Sequence, residues 1–519
     1  MKSSLVSLVL ALVLPVAAHA TVSLAPLFRD HAVLQRDKPV PVWGAAAPGE
    51  HVAVSFRGDK AEATAGADGR WAVRLDPLAA SADPADLVAS GGNVVVIHDV
   101  LVGEVWLCSG QSNMQFTVWD TTGTVFRVVN GEKEVAAGNH PLIRQFGVSR
   151  VESDKPLDKA EGSWAACTPA TVGHFTAVGY FFARDLQQKL GVPIGIINCS
   201  WGGSAIEPWL SHETLAGDVR LAYVEQRWRK EVADYPLKAA RIQALTQAWL
   251  STSSQARMTS PQAYKDFVTQ FPEPKPVPMP DKPYPTAPSK IYNGMLHPLI
   301  PYALRGVLWY QGESNAGRPR EYRLLFETLI ESWRAEFGQG DFPFYWVQLA
   351  NFNGGDGRAT NWAALREAQA EALSLPNTGM AVTIDIGDAK DIHPRNKQEV
   401  GRRLALLAKA GTYGFTEDFS GPVFAGAERS GAGMIVSFRF AGGGLTAGGK
   451  PLQSFELAGD DRKFHAASAS IEGEKVLVSS PEVPNPVAVR YAWRNAPEAN
   501  LYNGAGLPAA PFRSDRWSD

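Results

Sequence analysis

Four short polar segments of the 519-residue chain contain the groups that acyl transfer requires: 109–113, 201–204, 311–315 and 391–394. A serine hydroxyl is a weak nucleophile that needs a neighbouring base, and Ser112 with His393 would form such a pair. Asp391 would fix the tautomer of His393 and stabilise the imidazolium that forms when the serine proton is taken up. These residues predict nucleophilic catalysis by a Ser-His-Asp set.

An oxyanion that develops during acyl transfer requires hydrogen-bond donors that are already in place. The candidate donors are the backbone N–H of Ser112, the backbone N–H of Gly203 or Gly202, and the side-chain amide of Gln311. Glycine suits the second segment because the absence of a Cβ lets the backbone approach the reacting carbonyl closely.

Taken singly, each segment also fits a structural role. The serine of a short Gly-x-Ser sequence is most often a turn residue, and an aspartate before a helix is often a simple cap. The glycines at 202–203 fit a tight turn, and 311–315 fits a polar loop. The functional interpretation rests on all four segments following predicted strands, because ligands bind at the carboxyl ends of the strands in a parallel sheet.

The central part of the chain alternates between apolar strand patterns and helix patterns. Strands are predicted at 102–107, 193–199, 305–310, 344–349 and 380–386, and helices at 175–190, 322–337, 362–373 and about 398–410. This alternation predicts an α/β fold with a parallel sheet covered by helices.

Both flanks of this central part are rich in turn residues and short apolar runs, which favours β-structure. The predicted units are a β-unit at 21–100, the α/β domain at 101–420, and at 421–519 a second β-unit or a closing half of the first. An irregular insertion is predicted around 211–290. Its first part, 211–250, is mostly helical by pattern, and the prolines at 271–288 are too dense for a helix or a central strand.

Composition excludes several classes of protein. Lys and Arg number 50 against 53 Asp and Glu, a formal net charge of −3, so the chain lacks the basic character of a nucleic-acid binder. No metal-ligand spacing is present. With three cysteines there is no disulfide framework, and the alternatives are buried free thiols or one bridge between Cys108 and Cys199.

Residues 1–20 have a positive start, an apolar run and a small-residue cleavage site, so we expect a signal peptide cut after Ala20. That segment is too short to span a bilayer, and no later apolar run is long enough to do so. We therefore expect a secreted or periplasmic chain.

The four segments together resemble the conserved blocks of the sialate O-acetylesterase-like branch of the SGNH (GDSL-type) hydrolases. The matching sequences are Gly-Gln-Ser-Asn-Met at 110–114, Trp-Gly-Gly-Ser at 201–204, Trp-Tyr-Gln-Gly-Glu-Ser-Asn at 309–315 and Asp-Ile-His-Pro at 391–394. Flanking sequences at 27–44 and 502–513 resemble the same family, so the resemblance covers nearly the whole mature chain.

The resemblance implies a flavodoxin-like SGNH core, no cofactor, and removal of O-acetyl groups from carbohydrates. It implies Ser112 as nucleophile, His393 as base and Asp391 as its partner. Where the wider superfamily has an oxyanion asparagine, this chain has Gln311, which leaves Gln311 and Asn315 as alternatives. Supporting positions would be held by Asn113, Glu313 and Asn315, and His297 is a further candidate for a supporting position.

A substrate sugar would need aromatic walls and, if acidic, a cation. Trp209 and Trp309 are candidate walls, while core packing is the favoured role of Trp106. Arg395 is the nearest candidate for a sugar carboxylate.

The substrate alternatives are acetylated plant polysaccharide of the xyloglucan or xylan type, which we favour, and O-acetylated sialic acid. The competing functions are a lipase or thioesterase on the same core and a non-catalytic carbohydrate-binding protein. Protein partners are not predicted.

Overall fold

The N-terminal part of the chain forms two small sheets that alternate buried and exposed side chains. The computed structural model describes residues 21–120, 126–277, 279–282, 285–354 and 361–517; the expected signal peptide lies outside them. One sheet has the order β1-β3-β6, and in the other β5, β4, β7 and β8 lie side by side with β2 also paired to β8. The strands are β1 (Ser23–Leu24), β2 (Val33–Gln35), β3 (Val40–Ala45), β4 (His51–Phe56), β5 (Asp59–Thr64), β6 (Arg70–Leu75), β7 (Ser81–Ser90) and β8 (Val94–Gly110).

Strand β8 joins this N-terminal unit to the central sheet without a break. Its first part alternates in burial and pairs with β7, whereas its last part is buried on both faces. The change from alternating to continuous burial along β8 marks the change of neighbouring strands. The predicted strand at 102–107 was therefore too short, and the predicted unit boundary at residue 100 falls inside one strand.

The central sheet has the order β10-β9-β11-β8-β12-β13-β14, and its strands are parallel except for β10, which is antiparallel to β9. Along the chain β8 is followed by a neighbour on one side, β11, and later by one on the other side, β12. Ligands bind at the carboxyl ends of strands at such a switch point. The additional strands are β9 (His140–Val148), β10 (Gly162–Cys167), β11 (Ile194–Ser200), β12 (Gly306–Tyr310), β13 (Phe344–Val347) and β14 (Thr378–Ala381).

Helices cover this sheet, with α3 packed against α9 and α7 against α8. Gly191 follows α3 in the left-handed conformation with φ 67°, which a glycine adopts without strain. The helices are α1 (Ser112–Gln115), α2 (Gly131–Ala136), α3 (Ala177–Leu190), α4 (His212–Gly217), α5 (Ala222–Thr259), α6 (Pro261–Gln270), α7 (Pro319–Phe337), α8 (Trp362–Glu371) and α9 (Lys397–Gly411). The predicted fifth strand at 380–386 was misplaced, since β14 ends at Ala381 and an irregular segment follows.

The predicted insertion contains α4, α5 and α6, and helix α5 alone has 38 residues. Within α5, Val224 and Ser253 are buried, and most of the other side chains are partly or fully exposed. The proline-rich part has no helix or strand at 271–277, 279–282 and 285–286.

The C-terminal part is a second β-unit with its own apolar core rather than a closing half of the first. Two four-stranded sheets, β15-β16-β21-β20 and β19-β18-β22-β24, enclose a separate cluster of buried side chains, and β17 pairs with β23. The strands are β15 (Val423–Ser430), β16 (Gly433–Arg439), β17 (Leu445–Thr446), β18 (Phe455–Ala458), β19 (Phe464–Ala466), β20 (Ser468–Glu472), β21 (Lys475–Ser479), β22 (Ala488–Tyr491), β23 (Tyr502–Asn503) and β24 (Phe512–Arg513).

Helix α8 holds this C-terminal unit against the central domain. The buried guanidinium of Arg366 donates to the carbonyls of Arg494 at 2.9 Å and Asn495 at 2.7 Å. Arg513 forms a bidentate ion pair with Glu367, both bonds 2.8 Å long. The two units are thus joined by directional bonds to backbone and carboxylate groups.

All three cysteines are free and buried, so the Cys108–Cys199 bridge is not formed. Burial raises the pKa of the Cys108 and Cys199 thiols. A search of the described helices finds none long and apolar enough to cross a membrane.

Replacing Gly110 by alanine should destabilise the junction between β8 and α1. Gly110 has φ 133°, and a Cβ there would lie 2.2 Å from the carbonyl oxygen of Tyr310. We expect Gly110→Ala to cost about 3 kcal/mol or more of unfolding free energy, measured by urea denaturation.

Gly191→Ala is the matched control, because φ is also positive there but the added Cβ meets nothing within 4 Å. It should cost roughly 1–2 kcal/mol, the conformational penalty alone. Equal losses in the two variants would contradict the steric explanation.

Candidate active site

The nucleophile candidate lies on the turn between β8 and α1, at the switch point of the sheet. The Oγ of Ser112 is 2.9 Å from Nε2 of His393, although the two residues are 281 positions apart. That distance lies within hydrogen-bond reach, as proton transfer requires. Strand β8 and the segment before α9 therefore bring the predicted serine and histidine together.

Asp391 lies beside His393 but holds it loosely. Its Oδ1 accepts the backbone N–H of His393 at 2.9 Å and lies 3.7 Å from Nδ1 of the ring. The Asp391 side chain is 52% exposed, against 27% for His393. The carboxylate is thus placed to orient the segment and attract the imidazolium rather than to form a short buried hydrogen bond.

Asn113 connects three segments of the site through its side-chain amide. Its Nδ2 donates to Oε1 of Glu313 at 2.6 Å and to the carbonyl of Ile392 at 3.0 Å. Its Oδ1 accepts from Nζ of Lys397 at 2.5 Å. Because Asn113 follows the nucleophile and Ile392 precedes His393, this amide fixes the two catalytic candidates relative to each other.

Lys397 is a buried amine that sequence analysis missed. Its Nζ lies over the rings of Phe116 and Tyr310, 4.8 and 5.0 Å from their centroids. Burial lowers the pKa of Lys397 to about 7, against the opposing charges of Glu313 and Asp391. Burial likewise raises the pKa of Glu313.

The same surroundings lower the pKa of His393, the base candidate, and so favour its neutral form. Burial, then the charge of Lys397, lowers the pKa of His393, while Asp391 acts in the opposite direction. A neutral imidazole is the form that accepts a proton from serine. Because the pKa of His393 is lowered, the ring stays neutral down to a lower pH than an ordinary histidine.

Of the predicted oxyanion donors, Ser112 and Gly203 keep available backbone N–H groups, with no acceptor among the described residues. The backbone at Gly203 has φ 76°, a conformation that favours glycine. The Gly202 N–H instead donates to Oε1 of Gln115 at 2.7 Å. Assigning Gly202 as a donor was therefore wrong, and its bond to Gln115 holds the loop against α1.

Gln311 was also wrong as an oxyanion donor, and Asn315 does not replace it. Both side chains are fully buried. The Nε2 of Gln311 donates to the carbonyl of Ser204 at 3.2 Å and to Oδ1 of Asn315 at 2.8 Å. The Asn315 Oδ1 also accepts the N–H of Ile206 at 3.0 Å. These amides support the loop that contains Gly203 from behind, and neither reaches the reacting face.

Beside that loop, the buried carboxylate of Glu207 binds two arginines. Arg227 and Arg318 reach its Oε1 at 2.6 and 2.7 Å, and Asn315 donates to Oε2 at 3.0 Å. Burial pushes the pKa of Glu207 up, but the charge of Arg318 and the bond from Asn315 outweigh it, so the pKa lies below its usual range.

The predicted aromatic walls were wrong. Trp209 and Trp309 are fully buried and pack edge to face, with ring centroids 5.8 Å apart, so neither can contact a sugar. Trp106 is buried too, as favoured. The aromatic side chain beside the site is Phe126, whose ring lies 5.3 Å from that of His393.

Two further candidates lie in different places. Arg395 is exposed beside His393, and its Nε donates to the carbonyl of Arg127 at 2.9 Å. His297 lies before the start of β12, at the opposite end of that strand from the site, where Nδ1 is 2.9 Å from the carbonyl of Leu157. His297 therefore does not support the site.

Among the described residues, no group of three or more His, Cys, Asp or Glu side chains is placed to hold a metal ion.

Comparison with known proteins points to one family. Residues 102–245 and 282–409 match the family model described as carbohydrate esterase, sialic acid-specific acetylesterase. The sialate O-acetylesterase of Mus musculus is 31% identical, with 93% of this chain and 92% of that protein covered. The Homo sapiens protein of the same name is 29% identical, covering 97% and 96%. A solved carbohydrate acetylesterase from Xanthomonas citri is 40% identical with TM-score 0.79, covering 96% of this chain and 100% of that one.

Replacing Lys397 by methionine should shift the pH profile of ester turnover. The substitution keeps the apolar stem and removes the cation that lowers the pKa of His393. The pKa of His393 then rises, so the acid limb of kcat/KM for p-nitrophenyl acetate should move to higher pH.

Lys390→Met is the control, since it removes an exposed charge from the same segment that does not act on His393. Its profile should match the wild type. An unmoved acid limb in Lys397→Met, or an equal shift in both variants, would contradict the electrostatic role of Lys397.

Proposed function

The chain belongs to the sialate O-acetylesterase-like family of SGNH carboxylic ester hydrolases, and from that premise we propose that it removes O-acetyl groups from carbohydrates through a Ser112–His393–Asp391 acyl-enzyme mechanism. The 2.9 Å contact between Ser112 Oγ and His393 Nε2 carries the proposal. The order of five parallel strands, β11-β8-β12-β13-β14, supports a flavodoxin-like SGNH core, because it is the 2-1-3-4-5 order of that fold.

The mechanism has two steps. His393 Nε2 takes the hydroxyl proton as Ser112 Oγ attacks the acetyl carbonyl, and the sugar oxygen leaves with that proton. In the second step His393 takes a proton from the water that attacks the acetyl-serine, and it returns that proton to Ser112 Oγ as the Oγ–acyl bond breaks and acetate leaves. The backbone N–H groups of Ser112 and Gly203 stabilise the oxyanion in both steps.

Three neighbours act on His393 in these steps. Asn113 holds the carbonyl of Ile392 and so fixes the His393 segment on the nucleophile's helix. Lys397 favours the neutral imidazole before the attack, and Asp391 stabilises the imidazolium after it. The expected signal peptide would place this activity in the periplasm or outside the cell.

Ser112→Ala should lower acetate release from p-nitrophenyl acetate by on the order of 10⁴-fold or more, because the acyl-enzyme can no longer form. Ser109→Ala is the control: that serine is buried on β8, three residues before Ser112, and its Oγ has no hydrogen-bond partner in the described part of the chain.

The control should retain turnover within about twofold of the wild type, since it deletes no interaction. Full turnover in Ser112→Ala would contradict Ser112 as the nucleophile, whereas wild-type turnover no faster than buffer would favour a non-catalytic carbohydrate-binding protein. Turnover that rises from acetyl to octanoyl esters would favour a lipase or thioesterase instead.

For the substrate, we propose a neutral acetylated glycan of the xyloglucan or xylan type, with O-acetylated sialic acid as the alternative. The two arginines nearest the Gly203 loop are paired with Glu207, which leaves little positive charge there for a sugar carboxylate. Arg395 is an exposed cation beside His393 that a carboxylate could use.

The wild-type chain should therefore release acetate faster from acetylated xylo-oligosaccharide than from O-acetylated sialic acid, compared as kcat/KM. Arg395→Gln should leave the first rate unchanged, because a neutral sugar makes no ion pair. The sialate alternative is favoured if O-acetylated sialic acid is the better substrate and Arg395→Gln lowers its turnover tenfold or more.

A further inference from the structure

A small cavity opens beside the Gly203 loop and has an aromatic side chain on its wall. Its volume is about 260 Å³, and its lining includes Ala205, Glu207, Arg227, Trp228, Ser314 and Arg318. The cavity thus combines one indole with polar and charged groups, the mixture that sugar-binding sites use.

Contacts through Ser314 connect this cavity to the catalytic turn. Ser314 Oγ donates to the carbonyl of Gly203 at 3.0 Å, and its N–H donates to Oε1 of Gln111 at 3.3 Å. Gln111 directly precedes the nucleophile, and a Cβ at Gly202 would lie 3.3 Å from Cβ of Ser112. One wall of the cavity, Ser314, is therefore hydrogen-bonded to the loop that holds the proposed oxyanion donor.

Trp228 is the one aromatic side chain in this lining, and it comes from the inserted helix α5. The side chain is half-buried. An indole offers a large apolar surface on which the C–H groups of a sugar ring can lie, at little cost in conformational entropy. No contact in the described structure gives Trp228 a core-packing role like that of Trp209 and Trp309.

The charges around the cavity compensate one another. Its lining contains Arg227 and Arg318, but also Glu207 and Glu231. Both arginines are bound to Glu207 at 2.6–2.7 Å, and Arg318 is also 3.2 Å from Glu321. Hydroxyl groups can hydrogen-bond with such paired groups, whereas a carboxylate would meet the glutamates.

We propose that this cavity is the glycosyl subsite of the esterase, that it takes a neutral sugar ring, and that Trp228 is its aromatic platform. The inference rests on the proposed function, since it concerns the sugar attached to the acetyl group that Ser112 attacks. It also gives helix α5 a role in substrate selection.

The test compares a sugar ester with an ester too small to need the subsite. Trp228→Leu, which keeps apolar volume but removes the ring, should lower kcat/KM for acetylated xylo-oligosaccharide roughly tenfold or more, mainly through KM. Turnover of p-nitrophenyl acetate should not change. Trp228→Phe, which keeps a ring, should retain most of the activity on the oligosaccharide.

Trp249→Leu is the matched control on the same helix. Its indole packs on Phe267 with centroids 6.0 Å apart and donates to the carbonyl of Phe271 at 2.7 Å, outside the cavity. This variant should turn over both substrates like the wild type. The subsite is overturned if Trp228→Leu acts on the two substrates in the wild-type ratio, or if the wild type does not use the oligosaccharide.

Direct binding provides a second measurement if Trp228→Leu folds poorly. Unacetylated xylo-oligosaccharide is titrated by calorimetry into Ser112→Ala and into Ser112→Ala/Trp228→Phe, and then into Ser112→Ala/Trp228→Leu where it folds. Weaker binding that follows the loss of ring area supports the subsite, and equal binding overturns it. Loss of the proposed function appears separately, as full turnover of p-nitrophenyl acetate by Ser112→Ala.

Discussion

The amide of Asn113 is the interaction on which the geometry of the site depends. It is buried, and its bonds reach the carbonyl before His393, the carboxylate of Glu313 and the ammonium of Lys397. A single amide can serve all three because it has two N–H donors and a carbonyl acceptor. The nucleophile's turn, the histidine segment and the segment after β12 come from distant parts of the chain. They are held in one arrangement by this group, which places Ser112 Oγ against His393.

Burial strengthens the electrostatic effect of these charged groups on His393. In the low-dielectric surroundings of the site, Lys397 acts on His393 more strongly than an exposed lysine would. Asp391 is half exposed, so its influence on the imidazole is weaker and its ring contact is long. The pKa of His393 is thus lowered first by burial and further by the charge of Lys397, while Asp391 opposes both effects.

Much of the candidate site could be predicted from sequence because strand topology brings three of its segments together. The ends of β8, β11 and β12 meet at one edge of a parallel sheet, so Ser112, Gly203 and the 311–315 segment had to be near one another. The roles of individual donors were not predictable. A glutamine after a strand has the right chemistry for an oxyanion hole, but Gln311 turns inward, where Ser204 and Asn315 satisfy its amide.

The roles of the aromatic residues were likewise not predictable from the sequence. Trp209 and Trp309 follow or end strands near the site, yet they are buried in the core. Trp228 lines the cavity, yet it lies on a helix that is distant in sequence from every motif. Lys397 had a readable signal, since it lies four residues after His393 and is the first residue of α9. Its burial beneath two rings depends on tertiary packing, which no local pattern reports.

The unbroken course of β8 has a mechanical consequence. The strand begins in the N-terminal unit, where it pairs with β7, and it ends at Gly110, two residues before the nucleophile. A hydrogen-bonded strand does not hinge in its middle, so the N-terminal unit cannot rotate against the sheet without displacing Ser112. That unit therefore fixes the position of the Ser112 hydroxyl, and exchanging it for another module would move Ser112 itself.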